Sequence, residues 1–393
     1  MSGPLSGFRV LDLSRVLSGP LATTLLADQG AEVIKVEGFG GDVTRAMGGG
    51  GLTAGFLASN RGKKSIAVDL HSTAGIDIIK RLASTADVFV QNFRPGAADG
   101  LGVGADVIQG VNPRIVYVSI SGFGDKGPYV GKRVYDPVIQ SLSGLADLQA
   151  ANAEDRPRMV RTVVPDKTTG LAAAQAITAA LLARERTGEG QHVRVAMLDV
   201  MISYLWAEGL NGLSKVGDEA HVRRGQRSRD LIFETKDGFI TAGAISNREW
   251  KGMCEALEHP EWLDDERFRT TADRFRNSAA RLDMTAEVLR TRTSAEWLER
   301  LDSFEVPCAP VLSRPEVIAQ EQVAANELIF EYDHPGIGRV RQARPAARFE
   351  KTPANTPGLA PTLGQHSREV LEDAGFTPEE VDSLIDQGVL GAN

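Results

Sequence analysis

Cysteine is nearly absent. Cys254 and Cys308 are the only two in 393 residues, far apart and without metal-ligand spacing. That excludes a disulfide framework and predicts a reduced, intracellular protein, here read as cytoplasmic. The six histidines, at 71, 192, 221, 259, 334 and 366, form no H-x-x-x-H, H-E-x-x-H or Cys/His cluster, so no metal site is expected. No run of about 18 apolar residues occurs, which argues against a membrane-spanning helix. The opening MSGPLSGFRVLDLS lacks a basic segment followed by an apolar stretch, so no secretory signal is expected. A basic excess is missing too. The formal charge is −8, which removes the global electrostatic footprint of a nucleic-acid binder. No serine sits in a G-x-S-x-G elbow, and the G-x-G-x-x-G fingerprint of a dinucleotide site is not found after the first strand, although Glu37 stands about 20 residues beyond the Gly19 turn.

What remains is ordinary in composition, 42% hydrophobic and 24% charged, and long enough to bury a core without staples. Its first half alternates strand and helix signals. FRVLDLS (8–14), EVIKVE (32–37), SIAVDL (65–70), DVFVQNF (87–93) and RIVYVSISGFG (114–124) read as strands, with helices over 19–31 and 74–85 between them. This alternation predicts βαβ units and a mainly parallel sheet, whose ligands bind in loops at the carboxyl ends of the strands. GLAAAQAITAALLARERTGEG (170–190) reads as an alanine-rich helix stopped by Gly188, and QHVRVAMLDVMISYLW (191–206) as a strand running into a helix. A polar linker is expected at 207–230. A smaller α+β unit is expected at 231–333, opening with a hairpin turned by Asp237-Gly238 and closing on VPCAPVLS (306–313). A Pro- and Gly-rich return linker at 334–364 and two short helices at 365–393, packed on the first unit, complete the layout.

The most suggestive residue is Asp166, in VVPDKTTGLAAAQ, a lone acid at the mouth of a helix. Such a carboxylate either caps backbone N–H groups or, kept anionic by the helix end, attacks an activated acyl group. The four glycines at 48–51 have the look of a phosphate cradle, but no Gly-Lys-Ser/Thr follows, and a loop is expected. Asp87 and Asp99 read as solvent-facing or turn-capping.

Several stretches together resemble the class III coenzyme A transferases, the CaiB/BaiF family of formyl-CoA and carnitine-CoA transferases and α-methylacyl-CoA racemase. They are VLDLSRVLSGPLATTLLADQGAEVIKVE, NRGKKSIAVDL (60–70), DVFVQNFRPGAADGLG (87–102), NPRIVYVSISGFGDKGPY (112–129), PDKTTG (165–170), ERTGEGQHVRVAMLD (185–199) and APTLGQHSREVL (360–371). The resemblance implies a Rossmann-like large domain built from both chain ends, an inserted smaller domain, and two chains threaded as an interlocked homodimer. It implies an acyl-CoA:carboxylate CoA-transferase with CoA thioesters and carboxylic acids as substrates and no tightly bound cofactor. It gives Asp166 the nucleophile's role, through an acyl-aspartyl anhydride and then an aspartyl-CoA thioester. It places Arg15, Val16, Leu17 and Ser18 against CoA on the loop after the first strand. Asn92 and Phe93 form a fixed turn beside pantetheine and adenine, Lys63, Lys64 and Arg94 meet the CoA phosphates, and Arg133 and Tyr135 stand near the thioester.

Three departures shape the expectation. Tyr135-Asp136 stands where the racemases carry His-Asp, and a tyrosine with an ordinary pKa near 10 is a poor proton-transfer base. Leu17 stands where the formyl-CoA branch has glutamine, implying a less polar acyl pocket. AGAISNREW (242–250) stands where that branch has a glycine-rich loop. Transfer between two acids is therefore the leading expectation. An α-methylacyl-CoA racemase, an intramolecular CoA-transferring isomerase and a non-catalytic CoA-binding protein are the alternatives.

Overall fold

A computed structural model of the chain describes residues 3–47, 52–150, 155–217, 230–354 and 358–392. The glycines at 48–51 and residues 218–229 of the expected 207–230 linker lie outside the described residues. The chain divides into two compact units. The first comprises Met1–Leu148, Arg158–His221 and Glu327–Asn393, and the second Gln149–Pro157 and Val222–Asn326.

The first unit is a mixed α/β fold on a seven-stranded sheet. Its strands are β1 (Arg9–Asp12), β2 (Glu32–Glu37), β3 (Lys64–Val68), β4 (Val88–Gln91), β5 (Val116–Ser121) and β6 (His192–Ala196), with a short terminal strand described below. The six lie in the order β3-β2-β1-β4-β5-β6 and pair in parallel throughout. The reason is in the sequence. VLD, VIKV, SIAV and VFVQ are short runs buried on both faces, as the strands of a helix-covered parallel sheet must be. The strand order reverses between β1 and β4, so the loops leaving those two strands diverge and open a crevice at their carboxyl ends.

Each face of the sheet has its own core. On one, Leu11, Ile34, Ile66, Phe89 and Tyr117 pack with Ile78, Ile79 and Leu82, and with Val370, Leu371 and Val381 from the end of the chain. On the other, Val10, Val33, Val88, Val116 and Val118 pack with Ala22 and Leu26 of the Ser18–Asp28 helix and with Ala173, Ile177 and Leu181 of the Val164–Thr187 helix. Asp87, expected to face solvent or cap a turn, ties the amino ends together. It accepts from the Arg9 amide at 2.7 Å and from Arg184 Nη1 at 2.9 Å.

The second unit holds the three-stranded antiparallel sheet β7 (Ile232–Glu234), β8 (Phe239–Ala242) and β9 (Cys308–Pro310). Helices Asn247–Ala256, Ser278–Leu289 and Ser294–Ser303 cover it around Trp250, Phe268 and Trp297.

Two features differ from the expected layout. Residues 329–333, expected to end the smaller unit, and 334–343, expected as linker, form a hairpin of β10 (Ile329–His334) and β11 (Gly338–Ala343), which belongs to the first unit. The two tail helices, Ser367–Asp373 and Pro378–Asp386, are followed by β12 (Leu390–Gly391), antiparallel to β3. Among the described residues no helix is long and apolar enough to cross a membrane.

Candidate active site

The site grows from the end of β1. Asp12 is wholly buried, and its carboxylate gathers Lys63 Nζ (2.9 Å), Thr23 Oγ1 (2.7 Å) and both the amide and hydroxyl of Ser14. These partners outweigh burial and hold its pKa down to about 2. Lys35, equally buried, donates to the Ser14 carbonyl at 3.0 Å and to Asp42 at 3.1 Å. Asp42 in turn accepts from the Val16 amide at 3.2 Å. On the other side Asn92, just past β4, clamps Arg15 twice, accepting from its amide at 2.8 Å and donating to its carbonyl at 2.7 Å. Held between Asp42 and Asn92, Val16 sits at φ 70°. A β-branched residue there costs on the order of 1–3 kcal/mol, and such strain persists where surrounding bonds over-determine it.

This loop brings Ser18 to the first turn of its helix, beside the Asp166 carboxylate, where its amide and hydroxyl oppose the rise of the Asp166 pKa. The approach depends on two glycines. A Cβ on Gly19 would fall 2.3 Å from Ser14 Cβ, and one on Gly170 would fall 3.0 Å from the Ser18 carbonyl oxygen and 3.2 Å from Leu21 Cβ. The 164–187 helix begins at Val164, earlier than its alanine run indicates, so Asp166 lies inside the first turn rather than ahead of it. The Asp166 amide donates to Asp136 Oδ2 at 3.2 Å, and the buried Asp136 is fixed by Gln140 Nε2 at 2.7 Å. Burial and the Asp136 charge together push the Asp166 carboxyl up to about 6, against the opposing pull of the Ser18 donors. It is still largely ionised at neutral pH, and its lone pairs are less quenched than those of an ordinary carboxylate.

Asp166 opens into a cavity of about 440 Å³, shared with Arg15, Val16, Ser18, Asn92 and Phe93 and bordered by Arg94, Lys132, Arg133 and Tyr135. Phe93 is set by its amide donating to Gln91 Oε1 at 2.7 Å. Gln91 is set by Ser119, and Ser119 by His192. Arg15 lies over the Phe93 ring at 5.4 Å. Arg15, Arg94, Lys132 and Arg133 form no ion pair among the described residues, whereas the cations beneath the loop are all paired. One wall thus offers unspent positive charge and the floor a reactive carboxylate, which suits an anionic acyl substrate.

The chain is similar to known proteins over nearly its whole length. The description "CoA-transferase family III" matches residues 5–367. The chain belongs to that family. Succinyl-CoA:glutarate CoA-transferase of Mus musculus is 36% identical over 398 residues, covering 98% of this chain and 90% of that protein. Succinate–glutarate CoA-transferase of Agrobacterium fabrum is 33% identical, with 94% and 95% covered. The crystal structure of a CaiB/BaiF family protein from Brucella suis superposes with a TM-score of 0.82 at 30% identity, covering 95% of this chain and all of that one. The protein is a family III CoA-transferase, an enzyme whose substrates are CoA thioesters.

Against the family pattern, the structure brings Arg15, Val16, Ser18, Asn92, Phe93, Arg94, Arg133, Tyr135 and Asp166 to one cavity. Three expected residues are not on it. Leu17 is the residue before the 18–28 helix and is not among the residues lining this cavity. Lys63 is enclosed by Asp12, the Pro20 carbonyl (2.9 Å) and Asn60 (3.0 Å). Burial lowers its pKa to about 8, and it supports the loop rather than meeting phosphate. Lys64 is engaged by Glu32 at 2.9 Å and Glu369 at 2.8 Å.

Sequence reasoning missed Asp136 as the acid that tunes Asp166, and Asp42, Gln91 and Lys132 as parts of the frame. Asp136 could have been found, since Tyr135-Asp136-Pro137 opens a helix with its acid in the first turn. Asp42 carries only the local signal of a turn cap, accepting from the Thr44 amide at 2.9 Å, and its bond to the Val16 amide, 26 residues away in sequence, has no local sign. Among the described residues no group of three or more His, Cys, Asp or Glu could hold a metal ion.

Proposed function

We propose that this family III CoA-transferase moves CoA from a dicarboxylic acyl thioester to a second dicarboxylic acid through covalent intermediates on Asp166. The observation that carries the proposal is Asp166 itself, with its pKa raised to about 6 at the floor of a cavity walled by unpaired cations. An Asp166 oxygen attacks the thioester carbonyl and the CoA thiolate leaves, giving a mixed anhydride. The thiolate then attacks the aspartyl carbon, the donor acid departs as carboxylate, and an aspartyl-CoA thioester remains. An acceptor carboxylate attacks that thioester to give a second anhydride and free thiolate. Thiolate attack on the acceptor's carbonyl releases the new thioester and restores Asp166. Each step exchanges acyl carriers of comparable reactivity, so the sequence runs both ways.

The amide and hydroxyl of Ser18 are positioned to follow the charge that develops on the Asp166 oxygens. Arg15, Arg94, Lys132 and Arg133 provide charge for the CoA phosphates and for the acid's second carboxylate. The names of the relatives, succinyl-CoA:glutarate and succinate–glutarate CoA-transferase, support a four- to five-carbon diacid pair. Two chains assemble as the interlocked homodimer, giving a solution mass of about twice 42.2 kDa.

Succinyl-CoA incubated with glutarate and quenched during turnover should yield an Asp166 peptide carrying CoA, and Asp166→Asn should abolish both adduct and exchange. Full exchange by that variant overturns the assignment. Light scattering that finds only a single-chain mass removes the dimer.

A further inference from the structure

The turn that leaves β4 borders the Asp166 cavity with Asn92, Phe93 and Arg94, and behind it lies a second cavity of about 300 Å³. Phe93, Arg94, Pro95 and Gly96 wall that space on one side, and Ser119, His192 and Arg194 on another. The Phe93 ring touches the core beside it, but the backbone of the turn has open space behind it, and residues 94–97 are exposed. Side-chain hydrogen bonds fix this backbone where packing does not. Asn92 is engaged with Arg15, and the Phe93 amide donates to Gln91 Oε1 at 2.7 Å.

Gln91 begins a polar row across three strands, on a sheet face that is otherwise apolar. Gln91 on β4 and Ser119 on β5 are register partners, and His192 on β6 stands opposite Tyr117, two residues before Ser119 on the same face. Gln91 Nε2 lies 3.0 Å from Ser119 Oγ, and Ser119 Oγ lies 2.8 Å from His192 Nε2. The His192 ring is set edge-on against Tyr117, 5.1 Å between centroids, and Tyr117 is anchored by its hydroxyl, which donates to the Val103 carbonyl at 2.9 Å.

The row has one direction. A backbone N–H can only donate, so Gln91 turns its oxygen to Phe93 and its amino group to Ser119. Ser119 Oγ accepts from Gln91, and its own proton goes on to His192 Nε2. That nitrogen accepts only while the ring is neutral, with its proton on Nδ1. Burial first, and the Arg194 charge after it, lower the His192 pKa against the opposing charges of Asp106, Asp125 and Asp99, so the ring is neutral at pH 7. Without that acceptor Ser119 has no fixed proton, Gln91 no fixed orientation and the Phe93 amide no fixed partner. Hydrogen bonds aligned in one chain also polarise and strengthen one another.

We propose that His192 is a positioning residue for the CoA thioester: acting through Ser119 and Gln91, it fixes the 92–95 turn in the form that receives the CoA moiety. His192 itself is not on the wall of the Asp166 cavity. The inference rests on the exchange reading in one respect, that CoA lies along this turn.

Steady-state kinetics with succinyl-CoA and glutarate test it. His192→Phe keeps a ring against Tyr117 and deletes the acceptor. It should raise KM for succinyl-CoA about five- to tenfold, the scale of one lost hydrogen bond, with kcat and the glutarate KM within about twofold of wild type. His192→Gln, which carries an amide oxygen to Ser119, should recover most of the loss. Ser119→Ala should raise the same KM, and the double variant no further, because both substitutions cut one row. An unchanged KM in His192→Phe overturns the proposal whatever happens to the urea midpoint. So do effects that add in the double variant, or a kcat that falls as far as KM rises. Calorimetric titration with free CoA separates this inference from the exchange reading, since it needs no turnover. Weaker CoA binding by His192→Phe in an Asp166→Asn background upholds the inference even if Asp166→Asn still exchanges. Equal CoA binding by that pair overturns it even if Asp166 forms its adduct.

Discussion

Asp166 is held in a state that favours reaction over stability. A carboxylate with a pKa near 6 is costlier to ionise in the folded chain than in the unfolded one. The folded state therefore binds more protons between about pH 4 and 6, and stability falls as pH rises through that window. Asp166→Asn removes this cost. The variant should lose exchange and gain about 1–2 kcal/mol at pH 7, the partly exposed carboxyl being discounted for solvent screening. Urea midpoints read the gain, and a midpoint at or below wild type contradicts it. Exchange should decline as pH falls below about 6. Because the Asp136 charge is the second cause of the raised pKa, Asp136→Asn should move that acidic limb to lower pH. A pH–rate profile with the limb unmoved rules out Asp136 as the tuning group. The placement of Asp166 at a helix mouth was legible in PDKTTG, but its ionisation was not. That depends on Asp136, thirty residues away in sequence, and on burial by elements that local pattern does not join.

At the scale of elements, the site is a meeting of two helix starts at the strand-order reversal. Closeness is supplied by absent side chains. Gly19→Ala must displace Ser14, whose hydroxyl is tied to Asp12, so it should cost about 1–3 kcal/mol and separate Ser18 from Asp166. Gly170→Ala needs a shift of only a few tenths of an ångström, and should lower kcat more than it lowers the urea midpoint. Equal proportional losses in both would mean that the helix contact serves stability alone.

These elements are also where sequence reading was strongest. EVIKVE is β2 residue for residue, and the other parallel strands fall within the expected runs or one residue from them, because a strand buried on both faces must be a compact apolar run. The hairpin at 329–343 went unread for the opposite reason. IFEYDH is only partly buried, GRVRQA is largely exposed and mostly polar, and the prolines and glycines around them resemble linker. The signal there was the alternation itself, in a segment whose composition masked it.

For the molecule as a whole, the layer beneath the β1 loop sets how acid acts. Asp12, Glu37 and Asp42 face Lys63, Arg45 and Lys35, a balanced set of buried charges spanning three strand ends. All three acids have lowered pKa values, Asp12 to about 2. A depressed acid contributes stability above its unfolded pKa and loses it as pH falls toward the folded one. Asp12 alone therefore accounts for about 2 kcal/mol that disappears between pH 4 and 2. Asp166 works in the other direction between pH 4 and 6. The two together predict a stability maximum in mildly acidic solution, with a steep fall below pH 4 and a shallower decline above it. Asp166→Asn should flatten the upper slope and leave the lower one. Lys63→Met leaves Asp12 short of a partner and should cost about 3–5 kcal/mol at pH 7 while making the acid limb shallower, since Asp12 then has less to lose on protonation. Urea midpoints for the three proteins at pH 7, 5 and 3 decide the matter. An acid limb in Lys63→Met as steep as in wild type would place the acid sensitivity outside this buried layer.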